Sequence, residues 1–312
     1  MLALVEGRTG GDPMGGAKWV RRSLRKLSGE LRQRGHAACP NTVRRLLRQQ
    51  DYGLRANVKR LGGPPQAARE QQFQYLAQQR DAFLAEGLPV LSIDAKKKEL
   101  VGNFKNAGRT WTQQPEAVNT YDFIHDAQCR ATPYGLYDVG RNRGAVGVGI
   151  SADTAEFAVD CLAQWWDQTG RRAYPQAPRL LLLADGGGSN GHRSRLFKRQ
   201  LQRWVDRTGL AVTVGHYPRG ASKWNPVEHR LFSHVSVNWA GVPLRSLDTM
   251  LACLRGTATA TGLTVEAWLM DKTYPTKLKV TNAEMNALNL RRHETCPDWN
   301  YTIQPRLTAS GP

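Results

Sequence analysis

Three acidic residues stand where a strand would end or a helix begin: Asp94 after Leu91-Ser92-Ile93, Asp185 after Leu181-Leu182-Leu183-Ala184, and Glu228 after Asn225-Pro226-Val227. Carboxylates are hard oxygen donors. Mg²⁺ takes a few of them from a protein and keeps other sites for water and phosphate oxygen. Two such ions about 3.5–4 Å apart activate an attacking oxygen and stabilise a leaving one, so no Ser, Cys or His nucleophile is needed. With water attacking, a nucleic-acid strand is cut; with a 3′-hydroxyl attacking, strands are joined. Each acid also has a structural reading. Asp94, followed by Lys96-Lys97-Lys98-Glu99, taken alone reads more readily as a turn residue beside a solvated charge run. Glu228 falls at N3 of a helix with Asn225 as N-cap and Pro226 at N1, where a capping box would place a Glu. A nearby metal would outweigh a cap worth about 1 kcal/mol, and local chemistry leaves both readings of Glu228 open.

Asp185 is followed by Gly186-Gly187-Gly188-Ser189-Asn190-Gly191, which matches a dinucleotide-binding G-x-G-x-x-G between strand and helix. That reading needs an acid closing the next strand to hold a ribose. After Val212-Thr213-Val214 come Gly215, His216 and Tyr217, and Asp206 falls inside the intervening helix. A phosphate-cradling P-loop also fails, because no Gly-Lys-Ser/Thr ending is present. The glycines read instead as a means of keeping the space in front of Asp185 open to backbone and substrate.

The 312 residues carry 44 Lys and Arg against 26 Asp and Glu, a formal charge of +18. Such a field favours polyanions, since each phosphate neutralised releases condensed counterions. Residues 1–70 hold fifteen Lys and Arg against five Asp and Glu, so over half of the excess sits in under a quarter of the chain. This predicts a DNA-facing front end and a more balanced body. The five cysteines (Cys39, Cys129, Cys161, Cys253, Cys296) are scattered, with no C-x-x-C pair, which argues against a zinc module or a disulfide scaffold. No apolar run approaches the length of a membrane span and the N-terminal apolar stretch is too short for a signal peptide, so the expected location is cytoplasmic, on the nucleoid.

The elements that must position the acids follow from periodicity. Residues 1–17 show none. From Trp19 a helical stripe runs through Val20, Leu24, Leu27 and Leu31, broken by Gly35 to Pro40. A second helix is predicted with Asn41 as N-cap, Val43, Leu46 and Leu47 inside, and Arg44, Arg45 and Arg48 outside. Two short helices around a Gly-containing turn, the second basic, fit a helix-turn-helix, and equally a plain helical hairpin. Residues 62–66 read as a linker and a Gln-rich helix covers about 67–86. A strand then ends at Asp94, two strands flank a basic turn over 134–150, a helix spans 154–168, and Arg179 to Ala184 is the most apolar strand. A basic helix (193–207), a strand (210–215) and a helix from Asn225 complete an α/β body, a mixed sheet with helices on its faces. The predicted segments are 1–66 for the basic helical front end, 67–87 for a linker helix, 88–270 for the body with the acids, and 271–312 for a C-terminal extension.

Residues 92–111, the Ala184–Gly191 loop and residues 216–234 (His-Tyr-Pro-Arg-Gly-Ala-Ser-Lys-Trp-Asn-Pro-Val-Glu-His-Arg-Leu-Phe-Ser-His) closely resemble the ISAzo13-type insertion-sequence transposases, of the wider DDE group with an RNase H-like catalytic fold. The likeness runs from about residue 17 to 305. It implies Asp94, Asp185 and Glu228, spaced 91 and 43 residues apart, as the catalytic, metal-holding triad on strand one, strand four and the following helix. It further implies two Mg²⁺ ions, with Mn²⁺ as substitute, acting in cleavage of element ends and strand transfer. The expected partners are terminal inverted repeats, target DNA and further copies of the chain in a dimer or larger assembly. Family members run longer before the helix pair, so this chain is expected to be short there. Candidate DNA contacts are Arg44, Arg45, Arg48, Lys96, Lys97, Lys98, Arg141, Arg143, His192, Arg193 and Lys223, with Trp224 placed to stack on an unpaired base. The alternatives are a non-catalytic DNA-binding remnant and an RNase H-like nuclease or resolvase that hydrolyses without joining.

Overall fold

A computed structural model describes residues 9–11, 18–20, 23–54, 68–218, 220–221 and 224–306. The chain divides into two compact units, Met1–Pro64 and Pro65–Pro312. The predicted linker at 62–66 lies outside the described residues.

In the first unit, β1 (Thr9–Gly11) and β2 (Lys18–Val20) pair antiparallel, followed by α1 (Leu24–Gln33) and α2 (Pro40–Arg48). The unit is therefore not all-α, and the helical stripe predicted from Trp19 starts later, at Leu24. Ser23 sets that start: its side chain accepts the Lys26 amide at 3.2 Å, a cap a hydrophobic residue cannot supply. The second helix begins before the predicted Asn41, with Pro40 at N1, where its fixed φ suits the first turn and its missing N–H is no loss. Leu27, Leu31 and Val43 are buried between the helices, and Leu24 and Leu47 pack against them.

The second unit opens with α3 (Ala68–Ala85) and builds one nine-stranded sheet among the described residues. Its strands are β3 (Val90–Ala95), β4 (Glu99–Val101), β5 (Cys129–Asp138), β6 (Arg143–Gly149), β7 (Arg179–Ala184), β8 (Ala211–His216), β9 (Thr264–Met270), β10 (Leu290–Arg292) and β11 (Asn300–Ile303). They are ordered β10-β11-β8-β7-β3-β5-β6-β9, with β4 paired to β5. β3, β7 and β8 are parallel, and β5 is antiparallel to both β3 and β6. The five central strands thus read 3-2-1-4-5 in their own order of appearance, with the second reversed, which is the RNase H-like arrangement. The sheet does not stop at 270: β11 pairs with β8, so part of the expected C-terminal extension is built into it.

Helices cover both faces. Leu180, Leu182 and Ala184 point to the side of α4 (Ala155–Trp165) and α5 (Arg195–Thr208), packing with Phe157, Leu162, Phe197 and Leu201. Leu181 and Leu183 point oppositely, to Leu76 and Phe83 of α3. A strand buried on both faces reads as an unbroken apolar run, which is why β7 was so legible. On the same side as α3, a helical turn from Glu228 to Phe232 continues into α6 (Ser233–Asn238), and α7 (Leu247–Arg255) packs beside it. Two glycines let that turn approach the sheet. A Cβ on Gly135 would lie 2.6 Å from the Phe232 ring, and one on Gly144 would lie 2.5 Å from Leu231 Cδ1.

Candidate active site

Parallel pairing brings two of the acids together. Ile93 stands opposite Ala184 in the β3–β7 ladder, so Asp94 and Asp185 occupy the next positions at the same edge of neighbouring strands, roughly 4.8 Å apart in strand spacing. Both are half-buried. Asp94 Oδ1 accepts the Ala95 amide at 2.8 Å, and Asp185 Oδ1 accepts the Gly186 amide at 2.6 Å.

Glu228 approaches this edge from the helical turn, lining a recess with Lys96 and Lys97. Asn225 is fully buried and does not cap the helix with its side chain; its amide donates across to the Ile93 carbonyl at 3.4 Å. The helix start is held instead by strand β3. Ser92 Oγ accepts the Val227 amide at 2.8 Å and donates to Asn225 Oδ1 at 2.5 Å. With Asn225 committed to the strand, the capping box is not formed, and the Glu228 carboxyl lies near enough to Asp94 for its charge to raise the Asp94 pKa. The Ser92–Asn225 bond escaped the sequence reading, although a hydroxyl inside Leu91-Ser92-Ile93 is a signal, since a buried polar group needs a partner.

Burial, above all, pushes the Asp94 carboxyl up to about 7, and the charges of Asp185 and Glu228 push the same way against the Ala95 amide. Like charges crowded in a half-buried edge favour a proton or a cation there. Among the described residues, no three His, Cys, Asp or Glu side chains stand close enough to hold one ion together. Asp94 and Asp185 each commit one carboxyl oxygen to the amide of the following residue.

That loop is shaped by its glycines. Gly188 has φ +68°, and a Cβ on Gly191 would press on the Gly187 backbone at 3.1 Å. His192 is buried, with Nδ1 2.9 Å from the Gly186 carbonyl. His216 is also buried, with Nε2 2.9 Å from the Asn190 carbonyl and Nδ1 2.9 Å from that of Trp299. Burial drops its pKa to about 4, outweighing the two carbonyls.

The basic candidates divide. Lys96 and Lys97 line a recess of about 310 Å³ with Glu228 and Ser236, so they belong to the acid edge. Lys96 is paired with Glu99 at 2.9 Å and lies over the Trp239 ring, whereas Lys97 and Lys98 are exposed. Arg193 follows the Asp185 loop and is exposed. Arg44, Arg45 and Arg48 stand exposed on α2. Arg141 and Arg143 are not brought to the acids. Antiparallel pairing sets Asp138 opposite Leu91 and the β5–β6 turn at the other end of β3, where Arg141 bonds the Ala173 carbonyl at 2.6 Å. Trp224 is 46% exposed, with its ring 5.4 Å from that of Phe73 and the Arg69 guanidinium above both. Lys223 lies outside the described residues.

The family model described as "Rhodopirellula transposase DDE domain" matches residues 1–305. No curated protein matches the chain. Among solved structures, the "Mos1 transposase paired-end complex with left transposon end" is 14% identical over 80% of this chain and 66% of that one, at a TM-score of 0.41. The "pre-cleavage Mos1 transpososome" is 14% identical over 80% and 67%, at 0.40. The "Mos1 mariner paired end complex with Mn" is 15% identical over 73% and 64%, at 0.41.

Proposed function

Because the chain belongs to the Rhodopirellula transposase DDE domain family, we propose that Asp94, Asp185 and Glu228 form its catalytic triad. In this reading it cleaves the ends of its element and transfers them to target DNA. The observation that carries it is the meeting of Asp94 and Asp185 at adjacent strand ends, with Glu228 near enough for its charge to act on Asp94. The donor set fits Mg²⁺ or Mn²⁺ in its chemistry: three carboxylates and no thiolate are hard-oxygen donors. When bound, two such ions would lower the barrier by stabilising both the attacking and the leaving oxygen of the phosphodiester.

The chain's own groups do the rest. Strand register fixes the backbone of Asp94 and Asp185, and the Ser92–Asn225 clamp that of Glu228, so binding of the ions has only the side chains left to draw together. Lys96 and Lys97, beside Glu228, meet phosphate oxygens on that side. The exposed arginines of α2 supply a second DNA contact, with α1 and α2 acting as a helix-turn-helix. Residues 88–270 carry the reaction, residues 1–66 bind the element end, and 67–87 join them. The assembly on DNA is a dimer or larger, at the nucleoid. Among the described residues no helix is long and apolar enough to cross a membrane.

The test uses labelled duplexes from the flanks of the gene, with Mg²⁺, scoring both nicking and joining. Asp185→Asn should lower both by about 10³-fold, the scale of losing several kcal/mol of metal-borne charge stabilisation. Undiminished cleavage by that variant sinks the triad. Cutting without joining makes the chain a nuclease, and Mg²⁺-indifferent binding without cutting makes it a non-catalytic DNA-binding protein.

A further inference from the structure

Beyond the Asp185 loop a cavity of about 830 Å³ opens between the start of α5 and the C-terminal segment. Arg193, Arg195, Lys198 and Arg292 line it, and Asp298 is the one carboxylate among the lining residues. Asp298 is already engaged by Arg292 at 2.5 Å. Arg195 is anchored by Asn282 Oδ1 at 2.7 Å and the Val280 carbonyl at 3.3 Å, so its charge is oriented but not neutralised. Arg193 is exposed and has no carboxylate partner among the described residues.

Lys198 is the informative member. It is 8% exposed, and its Nζ reaches the His192 carbonyl at 2.8 Å and the face of the Tyr301 ring at 5.1 Å. No carboxylate lies within ion-pair distance of it among the described residues. Burial lowers its pKa, and the neighbouring Arg292 and Arg195 lower it further, with Asp298 opposing. A buried ammonium beside other cations is unfavourable unless an anion joins them. The cavity is roomier than one phosphate needs, and its wall is continuous with the carboxylate edge: His192 lines it while bonding the Gly186 carbonyl. An α5 start held by Ser194 adds the positive end of a helix dipole.

We infer that this cavity holds phosphates of the nucleic-acid backbone. In it the C-terminal segment, through Arg292, and α5, through Arg193, Arg195 and Lys198, grip the strand that runs on to Asp185. The inference deepens the function proposed above and rests on it for the direction of the strand. It also gives residues 282–299 a role: they form the far wall of a DNA channel.

The experiment is a salt titration of binding to a short labelled duplex, in EDTA, by fluorescence anisotropy. Arg193→Ala/Arg292→Ala should bind about tenfold more weakly near physiological ionic strength. Its slope of log K against log salt should be shallower by about 1.8, the loss of two phosphate contacts. Arg193→Ala alone removes an exposed, unpartnered side chain and so tests the point without a folding penalty; its slope should fall by about 0.9. Unchanged affinity and slope in Arg193→Ala overturn the inference, as does displacement of the duplex by inorganic phosphate at constant ionic strength, which would make this a free-phosphate site. The two proposals fail separately. Loss of binding here with undiminished cleavage by Asp185→Asn would break the triad and leave the cavity. Intact binding here with cleavage lost in Asp185→Asn would break the cavity and leave the triad.

Discussion

The carboxylate edge and the basic cavity are neighbours with opposite electrostatic problems. At the edge, Asp94 holds its proton up to about 7 because burial and two further carboxylates crowd it. In the cavity, Lys198 is pushed the other way by burial and two arginines. Each region is under-compensated alone, and a divalent cation with a phosphate chain would relieve both at once. They also differ in construction. The two aspartates are placed by main-chain register, which no single side chain can undo, whereas the cavity depends on side chains from α5 and β10 meeting through packing. The edge should thus be hard to move except through Glu228, and the cavity easy to weaken by surface substitution.

Three further outcomes would break or sharpen that contrast. The largest is expected from Gly135→Val. Its Cβ would meet the Phe232 ring at 2.6 Å and Val227 at 3.0 Å, and Phe232 is buried. Overpacking of this kind costs about 3 kcal/mol, seen as a lower denaturation midpoint. A shift of the Glu228 turn by an ångström should cut cleavage by about 100-fold. Salt-dependent DNA binding through the cavity should stay intact. If binding fell with cleavage in folded protein, the two regions would not be independent.

His216 bridges them, touching the Asn190 carbonyl of the Asp185 loop and the Trp299 carbonyl of the C-terminal segment. In the fold it titrates near 4, against about 6.5 when unfolded, so between those values the unfolded chain binds the extra proton. Its contribution is complete above pH 6.5 and falls by about 3 kcal/mol as pH drops to 4. Thermal unfolding across that window should show about one proton more taken up by the wild type than by His216→Gln. Equal pH slopes would mean that His216 is not buried neutral.

The smallest is Ser92→Ala, which strands the Val227 amide and the Asn225 side-chain Oδ1 and should cost about 2 kcal/mol. Cleavage should fall about tenfold, with Ser92→Thr recovering part of it by restoring the hydroxyl. A variant that kept full activity would show that packing on Gly135, and not the clamp, holds Glu228.

Much of the frame was legible. The Leu181–Leu183 run read as a buried strand because both faces are covered, and Arg179–Ala184 is its observed extent. Helix starts were less legible where capping competed with periodicity. The stripe through Val20 was real in spacing, but Val20 belongs to a strand and Ser23 begins the helix. The turn bearing Arg141 and Arg143 was legible, but strand direction was not, and antiparallel pairing carries that turn to the end of β3 away from Asp94.

The sequence by itself determined the chemistry on offer: three hard-oxygen acids at element ends, a phosphate-seeking charge, and a G-x-G-x-x-G loop without the acid that a dinucleotide site needs. These follow from residue type and local period. Only the tertiary structure decided which charges meet. Parallel register sets Asp94 beside Asp185, and the Ser92 hydroxyl draws Asn225 out of a capping role and leaves Glu228 facing Asp94. Pairing of β11 with β8 brings the C-terminal segment, with Arg292, to Lys198. The physical reason is common to all three: hydrogen bonds and burial between segments 85 or more residues apart leave no local periodic trace.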